Sequence, residues 1–294
     1  MTAIDAPVCA SPPLRKPLFR VASEDGEMID LSLHELAQED LRRLRPVRFP
    51  SSYKGRPNKI GYYWSSTSKG SVLFESGLEL RALIAWDFDP RVVGISTQPF
   101  YFLDSHNKRG TPPTPDALLV FANGDVAIRE VKPAGKIDDQ FREKIEAGRN
   151  AVRPQGWTWD IELELPTTLS KNVRWLSGYR ADLWDPGEYR RRLTESASEP
   201  VELDTLLTNV GGGPIAMAWA MRLLWLHELV ADLSRSLLNL KSLVAKPNHR
   251  DASGTLRYVA GGINLGDIGS TKGEATEALL KSSSHLTELK ASKR

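Results

Sequence analysis

Cysteine is almost absent from this 294-residue chain: Cys9 stands alone, in a Pro/Ala/Ser-rich leader. Intramolecular disulfides and cysteine-based zinc sites are thereby excluded, which fits a reducing cytosol. The five histidines, His34, His106, His227, His249 and His285, are scattered without ligand spacing, so no metal is assigned to them. Long hydrophobic runs are missing too, and no window approaches the roughly 20 apolar residues needed to span a bilayer. The N-terminal MTAIDAPVCASPPL has no basic stretch followed by an apolar one, so no signal peptide is expected and a cytoplasmic location is. No internal repeat is visible. The charged fraction of 26% and hydrophobic fraction of 40% are those of a soluble globular protein with room for one large domain or two ordinary ones.

The net charge of +2 is too small to argue for nucleic acid by itself, but acids are locally absent. From Arg42 to Phe74 there is no Asp or Glu, against eight basic residues: Arg42, Arg43, Arg45, Arg48, Lys54, Arg56, Lys59 and Lys69. Phe49, Tyr53, Tyr62, Tyr63 and Trp64 are interleaved with them. A basic stretch carrying aromatics suits phosphate contacts and base stacking. Ordinary surface charge on a solvated hairpin, GYYWSSTSKGSVLFES, is the plainer reading; the missing acids tilt the balance towards nucleic acid. Arg45, Arg48, Lys54, Arg56, Lys59, Tyr62, Trp64 and Lys69 are the candidate DNA contacts.

The stretch TPDALLVFANGDVAIREVK, residues 114–132, organises the rest. Asn123-Gly124 between two apolar, β-branched runs is a strong hairpin signal. The hairpin returns Glu130 and Lys132 towards Asp116. Alternation puts Glu130 and Lys132 on one face and Val131 on the other. Hard divalent cations take such carboxylates, and a lysine beside one can orient an attacking water. A polar hairpin face without function would explain Glu-Val-Lys alone; Pro115-Asp116 upstream and Pro133 downstream bring the two readings closer to even.

Along the chain, residues 1 to about 30 read as a leader with at most short strands, and Ser32–Arg43 as an amphipathic helix. Ser76–Trp86 reads as a helix in which Glu79 stands at capping-box spacing from Ser76. Val92–Leu103 is the first expected core strand, with Gln98-Pro99 at a bulge or strand end. A helix over about Asp138–Val152 and a strand over Trp157–Leu165 complete a mixed sheet flanked by helices, an α/β fold. Residues 171–198 read as a further helical connection, with the domain boundary at Glu195–Pro200. Ile215–Ser234 reads as one apolar helix, or two broken near Glu228, and Leu237–Val244 as strand-like. This small unit suits a winged-helix module or a docking domain, and the Ser/Gly/Lys-rich remainder a tail that orders on a partner.

Ser76-Gly-Leu-Glu79, Asp87-Phe-Asp-Pro90, Gln98-Pro-Phe100, Thr114-Pro-Asp116 and Glu130-Val-Lys-Pro133, in this order and spacing, resemble the TnsA-type endonuclease subunit of heteromeric transposases. That family lies within the restriction-endonuclease-like nuclease superfamily, and the likeness covers roughly residues 50–165. It implies a restriction-endonuclease-like mixed sheet with the catalytic residues at one edge, followed by a mostly helical, winged-helix-like domain. Its acid on the first core helix falls on Glu79, its aspartate on Asp116 and its lysine on Lys132. Some members carry Gln two residues before the lysine, where this chain has Glu130. The catalytic set is then Glu79, Asp116, Glu130 and Lys132, with Glu75 as the fallback acid. The metal set is Asp116, Glu130 or Glu79, and the Val131 carbonyl, for Mg²⁺ with Mn²⁺ substituting. The implied division is a leader and helix at 1–45, a nuclease domain at 46–198, a winged-helix-like or docking domain at 199–245 and a flexible partner-binding tail at 246–294. The resemblance implies cleavage at the 5′ ends of a transposon, beside an integrase-type transposase subunit that cuts the 3′ ends. It also implies contact with an AAA+ ATPase regulator. A stand-alone restriction or repair nuclease of the same fold, and a non-catalytic DNA-binding assembly factor, are the alternatives.

Overall fold

The computed structural model describes residues 18–23, 25–50, 59–103 and 114–247, with the backbone of two short paired strands at 249–250 and 256–257. Lys54, Arg56, Cys9, His106, His285 and most of the expected partner-binding tail lie outside the described residues.

Strands β1 (Leu18–Ala22) and β2 (Met28–Leu31) form an antiparallel pair in the N-terminal segment. Helix α1 (Leu33–Leu36) is a single turn with a Ser32/Glu35 capping box. The longer helix expected up to Arg43 does not form. Asp40 instead accepts the Arg42 N–H and starts a separate 3₁₀ turn, Leu41–Arg43, the usual competition between a short acid and helix continuation. The hairpin read in the sequence is present as β3 (Gly61–Ser65) and β4 (Gly70–Phe74).

Helix α2 (Gly77–Phe88) begins at the Ser76 cap. The run 92–103 then divides into β5 (Val92–Thr97) and β6 (Tyr101–Leu103). Gln98 sits at φ +48° before Pro99, and this left-handed turn sends the two halves into different sheets. Strands β7 (Ala117–Phe121) and β8 (Val126–Val131) follow, joined through Gly124 at φ +90°, a backbone state that favours glycine. Helix α3 (Asp139–Val152), capped by Asp138, crosses to β9 (Thr158–Glu162), which runs parallel to β8.

The central sheet has the order β5-β7-β8-β9, antiparallel except for its last pair. Its two faces serve two cores, as strand alternation requires. Leu118, Val126, Ile128 and Trp159 pack towards α3. There they meet Phe19 of β1, whose ring lies 5.0 Å from Phe100, so the N-terminal strand belongs to this core. A Cβ on Gly148 of α3 would stand 2.5 Å from the Trp159 ring; glycine lets the helix lie this close to β9.

Ile95, Ala117, Leu119 and Ala127 face the other way, onto α2 and the C-terminal elements. These are α4 (Thr167–Leu176), α5 (Tyr189–Ser196), β10 (Val201–Glu202), α6 (Leu203–Asn209), α7 (Gly213–Trp225), β11 (Val230–Ala231) and β12 (Leu243–Ala245). The last three strands form a sheet of order β10-β12-β11. One hydrophobic cluster continues from Leu83 and Phe88 through Val173 and Leu176 to Leu206, Ala220 and Leu224. Buried Asn172 ties α4 to the 232–238 segment, donating to the Leu233 and Ser236 carbonyls at 2.8 Å and accepting the Leu238 N–H at 2.9 Å.

Of the two readings of 215–234, the one with a break near Glu228 is nearer: α7 ends at Trp225, and β11 follows in place of a second helix. His227 adopts φ +57° with Nε2 2.6 Å from the Phe88 carbonyl, and the chain reverses there. The strand expected over 237–244 is confined to β12. Among the described residues the protein is thus mixed α/β, with several sheets and seven α-helices. No described helix is long and apolar enough to cross a membrane.

Candidate active site

The β7–β8 register pairs Ala117 with Arg129, and continuing it by one residue sets Asp116 opposite Glu130. Leu118 and Ile128 point to the α3 side, so alternation sends Asp116, Glu130 and Lys132 to that side as well. Asp116 is fixed there: Oδ2 accepts the Val131 N–H at 2.6 Å, and its carbonyl accepts the Gln98 N–H at 3.1 Å. Glu130 is 4% exposed and ion-paired with Lys144 of α3, Nζ to Oε1 at 2.7 Å. Lys132 lays its ammonium over the Phe141 ring, 4.3 Å from the centroid. The hairpin end thus collects two acids and two lysines.

Glu79 approaches from the first turn of α2. Its carboxylate accepts the Glu75 N–H at 2.7 Å and the Ser76 hydroxyl at 2.9 Å, while its own N–H donates to Ser76 Oγ at 3.1 Å. It is a cap, and it also feels the site. Burial, and then the Asp116 charge, push its carboxyl up to about 7. Burial followed by the Glu130 charge pushes Asp116 up to about 7. Burial raises Glu130 too, against the pull of Lys144. Asp116 therefore shares its surroundings with two acids, Glu79 and Glu130, and repels both.

Three neighbours escaped the sequence reading in this role. Lys144 follows Phe141 by three residues on the packing side of α3, a spacing that could have revealed it. Gln98, 1% exposed, donates its side-chain amide to Glu75; in the sequence it stood as a bulge or strand end and a motif residue, without this role. Glu75 is also held by Arg48, Nη2 to Oε1 at 2.8 Å.

That ion pair qualifies the acid-free stretch. Acids outside it meet some of its cations: Asp40 pairs with Arg42 at 2.9 Å, and Glu75 takes Arg48. Arg45, Lys59, Tyr62 and Lys69 are exposed. Trp64 is half-buried, its carbonyl accepting Arg180 Nε at 2.6 Å.

Every candidate ligand here is an oxygen, which suits a hard divalent cation. Among the described residues no group of three or more His, Cys, Asp or Glu side chains is placed to hold a metal. The donors available are therefore paired carboxylates with backbone oxygen. Asp116 and Glu79, half-buried carboxyls that are both raised and that repel one another, would be relieved by a cation, so these residues fit such an ion.

Glu130 and Lys144 can be tested as a pair. Lys144→Met leaves Glu130 buried without its close cation and is expected to cost about 3 kcal/mol in urea unfolding. Adding Glu130→Gln should restore most of the loss, because the charge is then gone. Equal losses in the single and double variants would show that packing, not charge, sets the effect.

Residues 89–164 match the protein family described as TnsA-like endonuclease N terminal. Among curated proteins, none matches the chain. The matched stretch runs from the end of α2 to just past β9. It includes Gln98, Asp116, Glu130, Lys132 and Lys144, and leaves out Glu75 and Glu79. The resemblance read from the sequence motifs holds over this stretch.

Proposed function

We propose, with the TnsA-like endonuclease match as the premise, that the protein is a metal-dependent DNA endonuclease, the subunit of a heteromeric transposase that cuts the 5′ ends of the element. The observation that carries this is the placement of Asp116 opposite Glu130, beside Lys132, inside the matched stretch. Mg²⁺, with Mn²⁺ able to substitute, would be held by Asp116, by Glu79 or Glu130, and by the Val131 carbonyl, supplying an acidified water and charge neutralisation at the phosphate. Asp116 is oriented for this by the Val131 N–H. Lys132 would orient the attacking water and offset phosphate charge. Lys144 pairs with buried Glu130 and offsets part of the cost that burial puts on its charge. Arg45, Arg48, Lys59, Tyr62, Trp64 and Lys69, with Lys54 and Arg56, would grip the DNA backbone at transposon ends.

The order α5-β10-α6-α7-β11-β12, with its β10-β12-β11 sheet, supports a winged-helix-like reading of the C-terminal unit. Helix α7 would be its recognition helix, yet Trp219 to Trp225 are all buried. That burial favours docking over groove reading. The unit and the tail are the proposed contacts for the integrase-type transposase and the AAA+ ATPase regulator.

The test is strand-resolved cleavage of end-labelled transposon-end duplexes in Mg²⁺. The protein alone should be nearly silent and should cut the 5′ ends when the integrase-type subunit and regulator are added. Efficient cutting by the protein alone would favour a stand-alone restriction or repair nuclease. No cutting under any condition, with transposition unaffected by Asp116→Ala, would favour a non-catalytic assembly factor.

A further inference from the structure

Between α2, α4 and the β3–β4 hairpin lies an open groove of about 610 Å³. Leu80 and Ile84 of α2 form its floor with Tyr63 and Phe74, while Tyr62 of β3 and Lys171, Arg174 and Trp175 of α4 stand on its walls. The α4 residues share one helix face, because positions three and four apart are neighbours. Tyr62 is 64% exposed and Trp175 45% exposed. No Asp or Glu lines the groove. Among the described residues neither Lys171 nor Arg174 forms an ion pair. Arg180 closes one end, its guanidinium 4.5 Å from the Tyr63 ring centroid and bonded to the Trp64 and Ser177 carbonyls at 2.6 Å.

Two exposed aromatics and two cations without an ion pair, in a groove that no acid lines although Glu162 and Glu164 line the cavity on the other side of Lys171 and Arg174, discriminate among partners. A duplex offers phosphates to the cations but keeps its base faces stacked inside. An apolar protein surface would cover the rings but leave the cations desolvated. An unpaired DNA strand satisfies both, since its bases stack on aromatics and its phosphates pair with Lys and Arg. The groove shares α2 with the site: Leu80, which lines it, follows Glu79 directly on the helix, about 100° further round its axis.

We propose that this groove holds an unpaired DNA segment next to the scissile phosphate, stacking a base on Trp175 and seating phosphates on Lys171 and Arg174. The proposal rests on the endonuclease reading and narrows its substrate to a duplex that is frayed or single-stranded beside the cut. None of Lys171, Arg174 and Trp175 lies in the matched stretch or in the basic segment 42–74.

The experiment is fluorescence anisotropy with the full chain, metal-free, on a labelled blunt duplex and on the same duplex bearing an oligothymidine overhang. Wild type should bind the overhang duplex more tightly. Trp175→Ala should weaken overhang binding about tenfold and leave blunt binding unchanged. Trp175→Phe should restore most of it. Lys171→Ala/Arg174→Ala should lower the salt slope on the overhang substrate by about 1.4, from about 0.7 per single-strand phosphate. Equal losses on both duplexes, or no loss on either, would overturn the proposal. Cleavage by the same preparations separates the two readings. If wild type cuts while Trp175→Ala binds the overhang normally, the groove fails alone. If nothing cuts but the overhang preference still depends on Trp175, the nuclease reading fails and the groove stands.

Discussion

Replacing Asp116 with alanine is expected to lower DNA cleavage by at least about a thousandfold while DNA affinity stays within about threefold. Asp116 faces Glu130 across the hairpin and stands within the field of Glu79, so any cation these acids hold depends on it first. Alanine also removes the acceptor for the Val131 N–H. Asp116→Asn keeps an oxygen for that N–H and deletes only the charge, so an equal loss in both variants assigns the effect to charge. Lys132→Met should cost on the order of a hundredfold in rate with little change in stability, since its stem can still pack on Phe141. End-labelled cleavage beside anisotropy measures both quantities. Parallel loss of cleavage and binding would argue that Asp116 builds the DNA surface instead.

The second large effect is on stability as a function of pH. Asp116 and Glu79 are raised in the folded protein to about 7, well above ordinary carboxylates. Between about pH 4 and pH 7 the folded state therefore holds protons that the unfolded chain has released. Stability from these two groups is present in full below about pH 4, falls as pH rises towards 7, and levels off above it. The combined loss is on the order of a few kcal/mol. Asp116→Asn should remove most of that decline, so the difference between variant and wild-type melting curves isolates it from other acids. Asp30 and Asp40, whose carboxyls are lowered by Arg20 and Arg42, act in the opposite sense at lower pH. A divalent ion binds the ionised acids, so Mn²⁺ should raise the melting temperature more at pH 8 than at pH 5. A wild-type profile parallel to that of Asp116→Asn would contradict the raised acids.

The hairpin and the elements around it were legible because their signals are local. Asn123-Gly124 sets the turn, period-two alternation sets the faces, and both follow from covalent geometry. The Ser76 cap likewise marked the start of α2. What failed depends on distant contacts. The break expected at Gln98-Pro99 is present, but that it sends β5 and β6 into different sheets rests on Asp116 and Glu75, which hold Gln98 from other segments. Over 215–234 the break expected near Glu228 is found, where His227 meets Phe88, 139 residues earlier in the chain, but β11 and not a second helix follows it. Within the site, Glu79 was visible as a cap, and its closeness to Asp116 came only from the family resemblance. Lys144 was hidden because a lysine on an amphipathic helix is ordinarily a solvated charge. Asp40 and Glu75 flank the acid-free stretch in the sequence, and which of its cations they meet, Arg42 and Arg48, comes only from the fold.

The central claim is that this acid cluster holds a divalent cation, and titration calorimetry of Mn²⁺ into the wild type and Asp116→Ala at pH 8, without DNA, tests it most directly. The account predicts heat of binding from the wild type that disappears in the variant. The same heat from both proteins, or none from the wild type even with a transposon-end duplex present, would contradict it.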